Sequence, residues 1–239
     1  MSKNNLENLL RENSYPGRGI MLGRSEDNTR AVILYFIMGR SENSRNRIFE
    51  KTEDGIRTKA HDPAKMTDPS LVIYHPLRTV NGHTVVTNGD QTDTIKEYLK
   101  NGKSFHMALR TREYEPDAPN YTPRISGIVN DDGSYILSIL KSAGGNPACC
   151  VRNFFEYPTP ISGLGHFIST YMTDHNPLPS FEGEPIPIIT SIADGLEAYA
   201  TKIWDALNDE NKVSLYAREI TLSTGNVREI IINKREKGV

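Results

Sequence analysis

Residues 31–38, Ala-Val-Ile-Leu-Tyr-Phe-Ile-Met, form an unbroken run of apolar and aromatic side chains. A bilayer-spanning helix needs about 20 such residues, so this run of eight is too short to cross a membrane. It is rich in β-branched and aromatic types and apolar on both faces, which reads as a buried strand covered on both sides. The chain has the means to cover it. At 239 residues it can build a large core without disulfides or metal, and its length favours one large domain.

Other elements follow from pattern. Leu6, Leu9 and Leu10 predict a short amphipathic helix, and residues 71–74 and 84–87 predict short strands, the second ending at Asn88-Gly89. Helices are predicted over 92–100 and 104–114, each opened by capping residues. Strands 125–129 and 135–140 flank Asn-Asp-Asp-Gly-Ser, a hairpin signal. Residues 147–187 hold seven of the fourteen prolines and read as loop, interrupted by a strand at 166–171. A helix over 191–207 and strands 214–222 and 227–233 close the chain. Groups of strands alternating with helices predict an α+β fold of two stacked sheets covered by helices.

The start of the chain lacks a signal-peptide pattern, and Cys149 and Cys150 are adjacent, unsuited to a structural staple; the cytoplasm is the expected compartment and two small buried thiols the expected state. Lys and Arg total 28 against 30 Asp and Glu, which argues against a nucleic-acid coat. Gly102-Lys103-Ser104 resembles the end of a phosphate-binding loop, but Glu97 stands where the first glycine is required. The six histidines show no paired ligand spacing, so no metal site is expected.

One asymmetry points to function. Residues 1–50 contain seven arginines and a single lysine, Lys3, and arginine is preferred where a planar cation grips phosphate or carboxylate. Three of them lie in Gly39-Arg40-Ser41-Glu42-Asn43-Ser44-Arg45-Asn46-Arg47, directly after the buried strand, where they could cradle an anion. A second polar segment, Asn88 to Thr94, leads from a tight turn into a helix and offers backbone N–H groups together with Asp93 and Thr94. A third, Tyr114 to Arg124, is a loop stiffened by three prolines that carries Glu115, Asp117, Asn120, Thr122 and Arg124. Solvated loops and plain helix capping are the competing explanations of all three.

Taken in order, Gly17-Arg18, Gly23-Arg24, Arg40-Ser41, Asn46-Arg47, Tyr74 with Arg78, Asn88-Gly89, Thr92-Asp93-Thr94-Ile95, Glu115 with Asp117, and Asn120-x-Thr122-Pro123-Arg124 resemble the archaeal-type IMP cyclohydrolase family. Ile168–Tyr171 and Leu215–Arg218 resemble its C-terminal portion; Tyr121 stands as an additional residue between Asn120 and Thr122. The resemblance implies a four-layer α-β-β-α sandwich like that of N-terminal-nucleophile hydrolases, with residues 17–239 as one catalytic domain behind an extension of residues 1–16. It also implies ring closure of 5-formamidoimidazole-4-carboxamide ribonucleotide to inosine monophosphate. That reaction needs neither metal nor cofactor, and no nucleic-acid or membrane partner; assembly into a homo-oligomer stays open. Residue 1 is Met, so the hydrolases' own nucleophile is not carried over. By resemblance Arg47, Tyr74 and Glu115 enter the pocket. Glu115 is the expected proton-transfer group, and Arg47 and Tyr74 would polarise the formyl oxygen or hold the carboxamide. Arg40, Arg78 and Arg124 are candidates for the 5'-phosphate. Ser41, Asn46, Asn88, Gly89, Asp93, Thr94, Asn120 and Thr122 would complete substrate binding. A non-catalytic purine-nucleotide-binding protein and an amide hydrolase acting on another small molecule are the alternatives.

Overall fold

The computed structural model describes residues 4–235; Met1, Lys3 and the rest of residues 1–3 lie outside the described residues. Its elements are α1 (Leu6–Glu12), β1 (Arg18–Arg24), β2 (Arg30–Met38), α2 (Glu42–Arg45), β3 (Arg47–Thr52), β4 (Gly55–Ala60), β5 (Leu77–Val80), β6 (His83–Thr87), α3 (Gln91–Lys100), α4 (Phe105–Arg110), β7 (Arg124–Val129), β8 (Tyr135–Ala143), β9 (Asn146–Tyr157), β10 (Leu164–Ser169), β11 (Ile186–Ile189), α5 (Leu196–Ala206), β12 (Lys212–Thr221) and β13 (Val227–Asn233). The fold is α+β, with two antiparallel sheets and few helices. One sheet has the order β11-β10-β1-β2-β12-β13 and the other β3-β4-β5-β6-β7-β8-β9.

The apolar run forms the middle of the first sheet. β2 pairs with β1 through Gly19↔Phe36 and Gly23↔Val32, and with β12 through Leu34↔Ala217. Side chains alternate along a strand, so Val32, Leu34, Phe36 and Met38 share a core with Leu6 and Leu10 of α1 and with Leu196, Ala200 and Ile203 of α5. Ala31, Ile33, Tyr35 and Ile37 point the other way and pack on Phe49, Leu77, Val86 and Ile125 of the second sheet. The outer face of that sheet is covered in turn: Val85, Ile128 and Leu140 pack on Ile95 of α3 and on Phe105, Ala108 and Leu109 of α4.

Several expectations change. Residues 71–74 form a turn, because the Pro69 carbonyl captures the Val72 and Ile73 N–H groups; the strand of that region is β5, further on. The helix expected over 104–114 ends at Arg110, where the Thr111 hydroxyl donates to the Ala108 carbonyl at 2.7 Å. The stretch read as loop contains the longest strand, β9. Its residues are exposed or half-buried at a sheet edge, so it lacks the apolar alternation that marks a strand. Cys149 is exposed and Cys150 half-buried on that edge, correcting the expectation of buried thiols. The last helix starts at Leu196, after Gly195 at φ +93°.

Helix α1 is built into the core. Leu10 is 2% exposed and lies in the cluster shared by α1 and α5. Leu10→Ala is therefore expected to lower unfolding free energy by about 2–5 kcal/mol, read as a drop in urea midpoint at constant slope. A change below about 0.5 kcal/mol, the size of a surface substitution, would show that α1 contributes no core.

Candidate active site

The polar groups gather at one end of the space between the sheets, where β1, β3, β7 and β12 begin and β2, β6 and β10 finish. After Met38 the chain crosses from one sheet to the other through the single turn of α2. Ser41 caps that turn in a reciprocal capping box with Ser44, which returns the chain at Arg47. Arg47 is fully buried; its Nε donates to the Ser44 carbonyl at 2.7 Å and its Nη2 to the Met38 carbonyl at 3.4 Å. Tyr74 is held against β4, where its N–H donates to the Thr58 hydroxyl at 2.8 Å. Its own hydroxyl shares a 2.8 Å hydrogen bond with that of Tyr35 on β2.

Glu115 comes from the proline-stiffened loop, which is wired to itself. The Asp117 carboxylate accepts the Thr122 N–H at 2.6 Å and the Thr122 hydroxyl, while the Glu115 N–H donates to the Thr122 carbonyl at 2.9 Å. Tyr121, the additional residue, takes a left-handed φ of +44° at the turn. The Thr122 hydroxyl also shares a 2.6 Å bond with Tyr171, beyond the end of β10. The loop is thus clamped at both ends, with Glu115 2% exposed.

Around Glu115 the charges are unusual. Burial pushes its carboxyl up to about 7, although Arg18, Arg124 and Arg47 pull it down; Asp117 adds to the rise. Burial lowers the pKa of Arg47, Arg18 adds to that, and Tyr74 opposes it. For Arg18 burial again works downward but is outweighed by Glu115 and the tyrosines Tyr171, Tyr74 and Tyr15, so the net shift is upward. Among the described residues, three buried atoms of this cluster have no hydrogen-bond partner: Arg18 Nε, Arg47 Nη1 and Glu115 Oε1. Buried polar groups are normally satisfied. An arrangement with a half-ionised carboxyl and two desolvated guanidiniums can move a proton and stabilise a developing negative charge in one place.

The sequence candidates divide. Arg47, Tyr74 and Glu115 converge with Arg124, and Thr122 stands beside them. Arg124 Nη1 donates to Gln91 Oε1 and pairs with Asp90 Oδ1, both at 2.7 Å. A Cβ on Gly89 would lie 2.5 Å from that Nη1, so a larger residue there would push the guanidinium out of this position. Asn88 is a buried strut: its carbonyl oxygen accepts from Ile125 N–H at 2.9 Å and from Gln91 at 3.0 Å. Arg40 lies at the rim, bonded to Asp174 at 3.0 Å and stacked over Tyr15. Asn120 receives the Leu178 N–H at 3.1 Å, and Asn46 is bonded to the Asp62 backbone through both its oxygen and its nitrogen. Arg78 and Asp93 pair with each other at 2.7 Å on the helix-covered side of the second sheet, where Arg78 also holds Asp54 and His75. Thr94 accepts from Arg112 at 3.2 Å. Arg112 in turn pairs with Asp90, the partner of Arg124, so Thr94 is tied to the cluster only through two other side chains.

Arg18 is the residue that sequence reasoning left out of the site, although Gly17-Arg18 belongs to the family-like opening. Its signal is the glycine before it. A Cβ on Gly17 would lie 2.3 Å from Thr170 Oγ1 and 2.6 Å from the Tyr171 ring, so glycine lets β1 begin against Tyr171. Tyr35 and Tyr171 were also missed as site groups, one hidden in the apolar run and the other visible only as part of a motif. Among the described residues, no group of three or more His, Cys, Asp or Glu is placed to hold a metal ion, and no helix is long and apolar enough to cross a membrane.

A family model described as "IMP cyclohydrolase-like protein" matches residues 15–225. The chain belongs to this family. The matched span contains the whole cluster, from Tyr15 and Arg18 to Tyr171. Relatives named IMP cyclohydrolase include one from Methanopyrus kandleri, 30% identical over 161 residues, 66% of this chain and 75% of that protein. One from Halobacterium salinarum is 31% identical over 132 residues, 54% of this chain and 63% of that protein. Another, from Methanosphaera stadtmanae, is 27% identical over 166 residues, 68% of this chain and 75% of that protein. In this member of the IMP cyclohydrolase-like family the charged cluster sits inside the matched region and not in a peripheral addition.

Glu115 should titrate at a midpoint of about 7, read from its side-chain carboxyl resonance and assigned with Glu115→Gln. Its pKa in the folded chain lies above the ordinary 4.5, so its stabilising contribution is full below that pH and lost as pH rises through about 7. Glu115→Gln should therefore gain on the wild type by roughly 2–3 kcal/mol between pH 5 and 8. A constant difference across that range would contradict the assignment.

Proposed function

We propose that this protein is an IMP cyclohydrolase, closing 5-formamidoimidazole-4-carboxamide ribonucleotide to inosine monophosphate with loss of water. The observation that carries the proposal is the buried Glu115 carboxyl, pushed to about 7 between arginines within the span matched by the family. The carboxamide nitrogen attacks the formyl carbon of the same molecule, forming the C–N bond that closes the ring. Holding the two groups in an attack conformation supplies much of the rate. An amide nitrogen is a poor nucleophile until it loses a proton, and ionised Glu115 takes that proton. The formyl oxygen gathers negative charge, which the unpartnered Nη1 of Arg47 and the Tyr74 hydroxyl offset. Glu115 then returns that proton to the oxyanion and takes the N–H proton of the former formamido nitrogen; as this nitrogen forms the ring C=N bond the C–O bond breaks, and the hydroxyl leaves with that second proton as water. Arg18 keeps the carboxylate form of Glu115 accessible at neutral pH. Tyr35, bonded to Tyr74, orients that hydroxyl.

In this reading Arg40 and Arg124 are the arginines for the 5'-phosphate, one at the rim and one beside the cluster. Arg78, Asp93 and Thr94, bonded elsewhere, are not assigned to substrate; Ser41, Asn46, Asn88 and Gly89 shape the frame, while Asn120 and Thr122 hold the loop. The helices packed outside each sheet support the four-layer sandwich resembling N-terminal-nucleophile hydrolases, as one catalytic domain in which α1, from the expected extension of residues 1–16, shares a helical layer with α5. The step assigned to Glu115 calls on no chain-start amine.

Purified protein given the formamido ribonucleotide without added metal is expected to form inosine monophosphate, followed by ultraviolet absorbance. Glu115→Gln should reduce kcat about 10²–10⁴-fold, the usual contribution of a positioned general base. Tight nucleotide binding with turnover no faster than in Glu115→Gln would instead identify a non-catalytic binding protein.

A further inference from the structure

The stacked sheets have four edge strands, β11 and β13 in the first sheet and β3 and β9 in the second. An open edge offers unpaired N–H and C=O groups to any other strand, and folded proteins blunt such edges. Three of these four are blunted. On β11, Asn4 forms a parallel bridge with Ile188: its N–H donates to the Pro187 carbonyl at 3.3 Å and its carbonyl accepts the Ile189 N–H at 3.0 Å. The edges β3 and β13 close on each other across the sandwich. The Asn233 side-chain oxygen accepts the Phe49 N–H at 2.8 Å, its nitrogen donates to the Phe49 carbonyl at 3.0 Å, and Lys51 pairs with Glu229.

Strand β9 is the exception, and it is also the longest strand. Among the described residues its backbone pairs with β8 alone. Side-chain bonds to that backbone fall on Pro147, Ala148, Cys150 and Val151, at the start of the strand. Residues 152–157 contain neither proline nor glycine, and their outer edge is open. The two rows of side chains face different ways. Phe155 and Tyr157 pack towards the space between the sheets, and Cys150 and Phe154 towards the helix-covered face. By alternation Arg152 and Glu156 belong to the second row, with Phe154 midway between them.

We propose that β9 pairs antiparallel with β9 of a second copy of this chain, about a two-fold axis at Phe154. An axis normal to the sheet keeps the helix-covered faces together and sets Phe154 opposite itself. Arg152 of each copy then stands opposite Glu156 of the other, at the roughly 4.5–5.5 Å between Cβ atoms at which opposite charges support a strand pair. Val151 meets Tyr157 in the other row, a β-branched side chain against an aromatic one. Centring the pairing on residue 152 or 156 would instead bring like charges together. Within one chain both groups have only surface partners: Arg152 reaches Glu113 at 3.6 Å and Glu156 meets His106 at 3.0 Å. The Arg152 guanidinium is held at this row by the Arg112 carbonyl, 2.8 Å away. Pairing in this register joins the two copies' larger sheets into one continuous sheet.

The test is sedimentation equilibrium of the full-length protein over about 1–500 µM, a range that covers ordinary dimer affinities. The wild type is expected to reach twice the chain mass. Glu156→Arg, at an exposed position, sets an arginine opposite Arg152 and should weaken the dimer at least about tenfold; Arg152→Glu should do the same. Combining Arg152→Glu with Glu156→Arg restores opposite charges across the axis and should return the affinity to within about threefold of wild type. A wild type that stays monomeric throughout, a dimer that either single reversal leaves intact, or a double reversal as weak as the single ones would each overturn the proposal.

Discussion

Strand β2 has no wet face, and the arrangement of the molecule follows from that constraint. Its even-numbered side chains require the cover of α1 and α5, and its odd-numbered ones require a second sheet. Once two sheets are stacked, any polar side chain on their inner faces is desolvated unless it sits at an open end. The chain places buried inner-face charges at the two ends, Arg18 with Arg47 and Glu115 at one, Arg24 and Arg218 at the other.

At the first end, cations outnumber the carboxylate that faces them. Desolvation favours the neutral form of Glu115, and the arginines favour the charged form. Neither wins by much, which leaves the carboxyl near neutrality instead of in the ordinary carboxylate range. A base with a pKa close to the operating pH balances correct ionisation against proton-accepting strength. The self-wired 115–124 loop matters for the same reason: it spends the Asp117 carboxylate on Thr122 and so leaves Glu115 as the carboxylate directed at the arginines.

Much of the fold was legible because its signals are local. The apolar run, the 125–140 hairpin and the closing strands carry period and turn chemistry that survive without tertiary context. Strand β9 was not legible, since an exposed edge strand holds its place through ladder hydrogen bonds to β8 that side-chain pattern does not record. The same division holds for the site. Arg47, Tyr74 and Glu115 were reached through family-like motifs, and they do converge. Arg78 came through the same family-like motifs and Asp93 from the second polar segment, but strand alternation turns Arg78 to the helix-covered face, where Asp93 and Asp54 meet it. Arg18 was overlooked because only the folded chain sets the start of β1 beside a loop some hundred residues later.

The central claim is that burial, opposed by arginines, sets Glu115 as the base of ring closure. The most direct measurement is the pH dependence of kcat/KM in the wild type and in Arg18→Met. The account predicts a wild-type rate that rises about tenfold per pH unit and levels off near pH 7, with that limb moved to higher pH once the Arg18 charge is gone. A flat wild-type profile through this range, or a limb that Arg18→Met leaves in place, would contradict it.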